Sequence, residues 1–295
     1  MAKSEDLARW LLMMAVSVSI IAPVLIYMNQ SNNGSSVSKD PPTPSVLVML
    51  DTSFNTYHTN LAVVRNTWLR RVLEKKSMHV IIVGSKDTDD MTDVIPSQCP
   101  KQSVGNTCKR AEMSSIAVDY LKSAEGKGFN WVIFLQDDMY LLPDNLQRII
   151  VNLGYDSAHE RRAWGAKGCG YQKCGGFCGG GGWLTNRDTL IRLHEEIDHS
   201  KYSTLIEESK IYENDCGDFG DLVMARLFEE RRNVATIQYP GGHYVWGFAN
   251  GDRGLVDSLR STDPIPWLYD IPASQRFEFL HQKATELGSS KPFLD

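Results

Sequence analysis

Residues 46–84 read VLVMLDTSFNTYHTNLAVVRNTWLRRVLEKKSMHVIIVG, and their pattern decides the fold class. Val46-Leu-Val-Met-Leu50 and Val80-Ile-Ile-Val83 are short apolar runs closed by polar or glycine residues. That is the pattern of parallel strands buried on both faces. Between them Leu61, Val64, Trp68 and Val72 recur at spacings of 3, 4 and 4, which predicts a helix over Asn60 to Lys75. Strand, helix and strand at this separation make a βαβ unit. Working outward, a second helix is predicted over Arg110–Ser123 and a third strand over Trp131-Val-Ile-Phe-Leu135. The chain reads as α/β with a mainly parallel sheet flanked by helices, without internal repeats or a second-domain boundary.

Composition narrows the function classes. The chain has 295 residues, 31 basic and 36 acidic side chains and a formal net charge of −5. Hydrophobic residues at 42% and charged residues at 23% exclude wholesale disorder and a polytopic membrane protein. A pI near 5.8 gives no electrostatic footprint for nucleic acid, which needs clustered Lys and Arg.

The N-terminus departs from this globular pattern. Trp10 to Met28 (WLLMMAVSVSIIAPVLIYM) carries no charge over 19 residues. At about 1.5 Å per residue this run spans close to the ~30 Å hydrocarbon core of a bilayer. A cleaved signal peptide is the rival reading, but the run is long for one and no A-x-A-like site follows. Lys3 and Arg9 precede the span and the next basic residue is Lys39, so the positive-inside bias keeps residues 1–9 cytosolic. Residues 10–28 are then a signal-anchor in the lipid bilayer, residues 29–45 a Ser/Asn- and Pro-rich stem, and residues 46–295 a luminal domain. Asn33 in Asn33-Gly34-Ser35 is a glycosylation sequon on that stem.

All six cysteines (Cys99, Cys108, Cys169, Cys174, Cys178 and Cys216) fall on the translocated side. An even count in an oxidising lumen points to disulfides, with Cys99–Cys108 the expected local pair. Cys169, Cys174 and Cys178 lack the C-x2-C spacing of a zinc site.

Three stretches carry candidate chemistry. Trp131–Leu135 runs straight into Gln136-Asp137-Asp138, and ligands in open α/β sheets sit at the carboxyl ends of strands. Carboxylates there suit a hard divalent cation able to grip a diphosphate, although two acids ending a strand are also common as a solvated turn or cap. Gly179-Gly-Gly-Gly182 followed by Trp183 allows close backbone approach to a ligand, or is a flexible connector. It fits neither a P-loop nor a dinucleotide fingerprint, and it precedes a capped helix start at Asn186–Leu193. Asp215, Asp218 and Asp221 open a predicted helix over Leu222–Glu230, where acids are commonly caps. His243 lies in a loop, where an imidazole is either solvated or a metal ligand.

Taken in order, these pieces resemble a known pattern. The anchor, the H-x6-R-x2-W of His58, Arg65 and Trp68, the junction WVIFLQDDMYLLPDNL, the GGGGWLTNRDTL segment and the late acidic cluster with a His are similar to the Fringe-like β-1,3-glycosyltransferases (glycosyltransferase family 31). That superfamily includes the core 1 galactosyltransferases, and the similarity runs from about Val46 to His243. It implies a GT-A fold, a UDP-sugar donor, Mn2+ and an inverting reaction at the Golgi membrane.

Residue by residue, the resemblance implies that Asp138 and His243 hold the metal and that Asp137 and Gln136 line the donor, with Gln136 replacing the family's first acid. Gly180, Gly181, Trp183 and Arg65 are implied donor or acceptor contacts. The implied catalytic base is Asp218, with Asp215 and Asp221 as alternatives. The expected function is therefore a type II membrane glycosyltransferase acting on a glycan or glycoprotein acceptor. The other class is a catalytically silent relative that serves as a chaperone or glycan-binding partner.

Overall fold

The computed structural model describes residues 43–53, 56–85, 92–99, 107–154, 160–167, 175–177, 182–195, 216, 220–238, 267–268, 278–283 and 285–286. Trp10–Met28 and residues 29–42 of the stem, with Asn33, lie outside them. Among the described residues no helix is long and apolar enough to cross a membrane.

The three strands read from sequence are present. They are β1 (Val46–Asp51), β2 (Met78–Gly84) and β4 (Trp131–Gln136), with β3 (Val94–Pro96) between the last two. Two further strands, β5 (Tyr140–Leu141) and β9 (Trp267–Leu268), form a separate antiparallel pair. The main sheet is completed by β6 (Arg162–Gly165), β7 (Trp183–Asn186) and β8 (Ala235–Gln238), in the order β3-β2-β1-β4-β7-β6-β8. Pairings β1·β2, β1·β4, β2·β3 and β6·β8 are parallel, while β7 runs antiparallel to both neighbours. The sheet is thus mainly parallel.

Every residue of β1 is buried, and the strand's two faces feed two different cores. Val46, Val48 and Leu50 join one cluster with residues of α1 (Ala62–Asn66), α2 (Trp68–Leu73) and α4 (Pro143–Leu153). Leu47 and Met49 join the other with residues of α3 (Thr107–Lys122), α5 (Arg187–Glu195) and α6 (Gly220–Arg232). The result is a three-layer helix–sheet–helix sandwich, in which continuous apolar runs are what a doubly covered sheet requires. Residues Thr43–Asp295 form one compact unit.

Two expectations need correction. The helix predicted over Asn60 to Lys75 is a π-helical turn at Tyr57–Leu61 followed by α1 and α2, broken at Thr67. Thr67 turns its hydroxyl back to the Val63 carbonyl at 2.8 Å, a bond that competes with the helical ladder. The glycine run does not lead directly into a helix either, because β7 intervenes. Asn186 ends that strand and also caps α5, accepting from the Thr189 amide at 2.7 Å. The cap was legible, and it masked the strand before it.

Cys99 and Cys108 form the expected disulfide, which fastens the strand-β3 side of the chain to the first turn of α3. Cys216 is also disulfide-bonded, to a partner outside the described residues.

Candidate functional site

The main sheet reverses its direction of growth at β1: β2 and β3 are added on one side, and β4 on the other. In open α/β sheets the crevice at the carboxyl ends of such strands is where ligands bind. Here β1 ends at Asp51, level in register with Gln136 at the end of β4. The acids Asp137 and Asp138 turn the chain immediately beyond, so the junction singled out in the sequence lies at the switch point. The turn closes through Met139 N to Gln136 O at 3.1 Å, and the Trp68 indole donates to Met139 O at 2.9 Å. Trp68, one of the resembling H-x6-R-x2-W residues, therefore braces the acid turn from α2.

The two acids differ. Asp137 is 6% exposed, and its Oδ2 accepts from the hydroxyls of Thr52 and Thr56, each at 2.6 Å. Asn60 adds a long contact to Oδ1 at 3.4 Å. Burial raises the carboxyl above its ordinary value, and these hydrogen bonds partly restore it. Asp137 is thus held by the loop after β1 and by its π turn. Asp138 and Gln136 are half-buried at the carboxyl end of β4.

The end of the glycine run reaches the same place. Gly182 has φ +64°, and a Cβ there would come within 2.9 Å of Phe134 O and 3.0 Å of Met139 Cε. Only glycine satisfies both the backbone and the space. Trp183, expected as a ligand contact, is fully buried and stacks on Phe134 at 4.0 Å, with Phe228 edge-on at 5.2 Å. Its ring has no exposed face, so it fills the core beneath the crevice.

Arg65 lies at the end of α1 and pairs with Asp93 at 2.7 Å, near β3 and on the partly exposed side of the fold. His58 is exposed on the π turn. Asp221, one of the three candidate bases, is 2% exposed and faces Arg110 at 3.0 Å. Asp215, Asp218, His243, Gly180, Gly181, Cys169, Cys174 and Cys178 lie outside the described residues.

Sequence reasoning missed the polar ring at the strand edge: Asp51, Thr52, Thr56, Lys109 and Arg110. Lys109 donates to Asp51 and to the Thr52 carbonyl, and Arg110 stands 3.5 Å from Asp51 Oδ2. One signal was available. Lys109-Arg110 opens a helix, the end where cations are disfavoured. Among the described residues no group of three or more His, Cys, Asp or Glu side chains could hold a metal.

No family model and no curated protein matches the chain. Similar solved structures include a glycosyltransferase involved in glycosylation of the major capsid of PBCV-1, 10% identical, TM-score 0.45, covering 80% of this chain and 99% of that one. A cytidylyltransferase from Leptospira borgpetersenii is 12% identical, TM-score 0.41, over 85% and 100% of the two chains. The galactosyltransferase LgtC, in complex with donor and acceptor sugar analogues, is 11% identical, TM-score 0.40, over 80% and 95%. All three likenesses are distant.

Proposed function

We propose that this chain is a GT-A-type glycosyltransferase, and more finely an inverting, Fringe-like β-1,3-glycosyltransferase that uses a UDP-sugar. In the same reading Trp10–Met28 anchors it in the Golgi membrane with residues 46–295 luminal. The observation that carries the reading is the Gln136-Asp137-Asp138 turn at the switch point of the sheet, with Gly182 packed against it.

Asp138, half-buried at the carboxyl end of β4, has the hard oxygen donors that Mn2+ prefers, and His243 is the second ligand the resemblance implies. A divalent cation held there supplies charge to offset the negative charge gathering on a departing nucleoside diphosphate. The protein's own part is acid–base work. The acceptor hydroxyl forms its bond to the anomeric carbon as the bond to the diphosphate breaks, and a carboxylate takes the hydroxyl proton. Asp218 is the proposed base, with Asp215 and Asp221 as alternatives.

The test is UDP release by the full-length chain in detergent, with Mn2+, across a panel of UDP-sugars and glycan acceptors. Asp138→Ala is expected to lose Mn2+–UDP binding while keeping its melting temperature; unchanged binding rejects the assignment. Asp218→Asn is expected to lower kcat by roughly 10²-fold with donor affinity unchanged. The silent-relative reading is favoured by one observation, Gln136 in place of an acid. It predicts no UDP release with any donor.

A further inference from the structure

The first turn of α3 holds two cations, Lys109 and Arg110, at the helix end whose dipole favours anions. Both are buried, Arg110 to 1% exposure. They face two buried carboxylates on separate elements: Asp51, the last residue of β1, and Asp221, in the first turn of α6. Arg110 stands between them, 3.5 Å from Asp51 Oδ2 and 3.0 Å from Asp221 Oδ1. Its Nε and Nη2 have no hydrogen-bond partner among the described residues, so its contact with Asp221 is an ion pair by distance alone.

Stability alone does not select such a cluster. Buried ion sets can often be replaced by apolar side chains of similar volume without loss. These cations also oppose the helix dipole, and two buried donor nitrogens make no hydrogen bond among the described residues. What the cluster does provide is distance. Asp51 O accepts from the Asp137 amide at 2.9 Å, so one end of the chain of contacts is the acid turn. The other end is the start of α6, directly after residues 215–219 in sequence, which include the proposed base.

We propose that Arg110 is a positioning residue that fixes the start of α6 to the end of β1, and so sets the separation between the acid turn and Gly220, where α6 begins. This rests on the glycosyltransferase reading. The guanidinium reaches both carboxylates at once, at 3.5 and 3.0 Å, which the single point charge of a lysine does not.

Two variants test it. Arg110→Gln removes the charge, keeps a polar side chain beside Asp221 and leaves Asp51 its Lys109. Arg110→Lys keeps the charge and removes the fork. Both are expected to bind Mn2+–UDP as wild type does, with kcat lowered about tenfold or more. Wild-type kcat in either folded variant overturns the proposal. If the wild-type chain itself releases no UDP, the parent reading fails, and amide hydrogen exchange decides the positioning role separately. Exchange over residues 220–224 is expected to quicken in Arg110→Lys while the rest of α6 is unchanged. Unaltered exchange there overturns the proposal as well.

Discussion

The Thr52 hydroxyl donates to Asp137 Oδ2 at 2.6 Å, joining the residue just after β1 to the acid turn just after β4, 85 positions later in the chain. Thr52 also donates its amide to Val83 O at 3.0 Å and offers its carbonyl to Lys109. One residue therefore links β2, α3 and the acid turn across the carboxyl edge of the sheet. Its hydroxyl matters because Asp137 is buried, and a buried carboxylate without donors is costly.

Thr52→Val keeps the shape and removes that donor. A hydrogen bond to a charged group contributes about 1.5–3 kcal/mol, so the variant is expected to lose roughly that much stability at neutral pH. Denaturant unfolding measures it. Combined with Asp137→Asn, whose carboxamide carries no charge to satisfy, the second loss is expected to be smaller than the first. Simple additivity in this double-mutant cycle would show that the two residues are not coupled.

Trp183 separates a packing role from a binding role. The indole is fully buried against Phe134 and Phe228, and its Nε1 has no hydrogen-bond partner among the described residues. Trp183→Phe removes an unsatisfied donor and keeps a stacked ring, so it is expected to change stability by less than about 1.5 kcal/mol. Trp183→Ala opens a cavity and is expected to cost about 3–5 kcal/mol. UDP affinity in Trp183→Phe should match wild type; a marked loss in that folded variant would return Trp183 to the ligand site.

These contrasts show where the sequence was legible. β1, β2 and β4 announced themselves because strands covered on both faces must be apolar at every position. The Asn186 cap was readable because its partner, the Thr189 amide, is three residues away. β7 was not, since its Thr185 and Asn186 look like loop residues. Their polar groups are in fact satisfied by distant carbonyls, of Arg162 at 3.0 Å and Glu160 at 2.6 Å. The same limit hid the environment of Asp137. Its acidity was visible in the chain, but Thr52, Thr56 and Asn60 reach it only because β1 and β4 are neighbours. Asp221 likewise reads as a helix-start acid until α3 brings Arg110 to it.

The Cys99–Cys108 bond closes a loop of nine residues. In the chain-entropy account a loop of that length contributes about 2.5 kcal/mol. The paired Cys99→Ser and Cys108→Ser variant is expected to lose close to that amount in denaturant unfolding. Glu112 limits the damage to local order. It accepts from the Gln98 amide at 2.9 Å and from the Ser97 hydroxyl, holding the same segment without the covalent link. A loss well above the entropic figure would mean that the link also supports the buried Lys109–Arg110 turn that follows it.

His194, near the end of α5, makes stability depend on pH. Burial lowers its pKa to about 4 from 6.5, with the nearby Lys122 charge adding to the effect. Nε2 has no hydrogen-bond partner among the described residues. The folded chain therefore keeps the ring neutral where the unfolded chain would protonate it. Above pH 6.5 both states are neutral and the folded state keeps its full advantage. As pH falls from 6.5 toward 4 the unfolded state takes up the proton first, and stability is lost through that window. The loss is on the order of 3 kcal/mol for a shift of this size. His194→Leu removes the titrating group and a buried nitrogen without a partner, so at pH 7.5 it is expected to be at least as stable as wild type. Between pH 7 and pH 4.5 its melting temperature should fall less steeply than that of wild type, the carboxylates being common to both. Parallel curves for the two proteins would mean that the His194 ring reaches solvent and titrates normally.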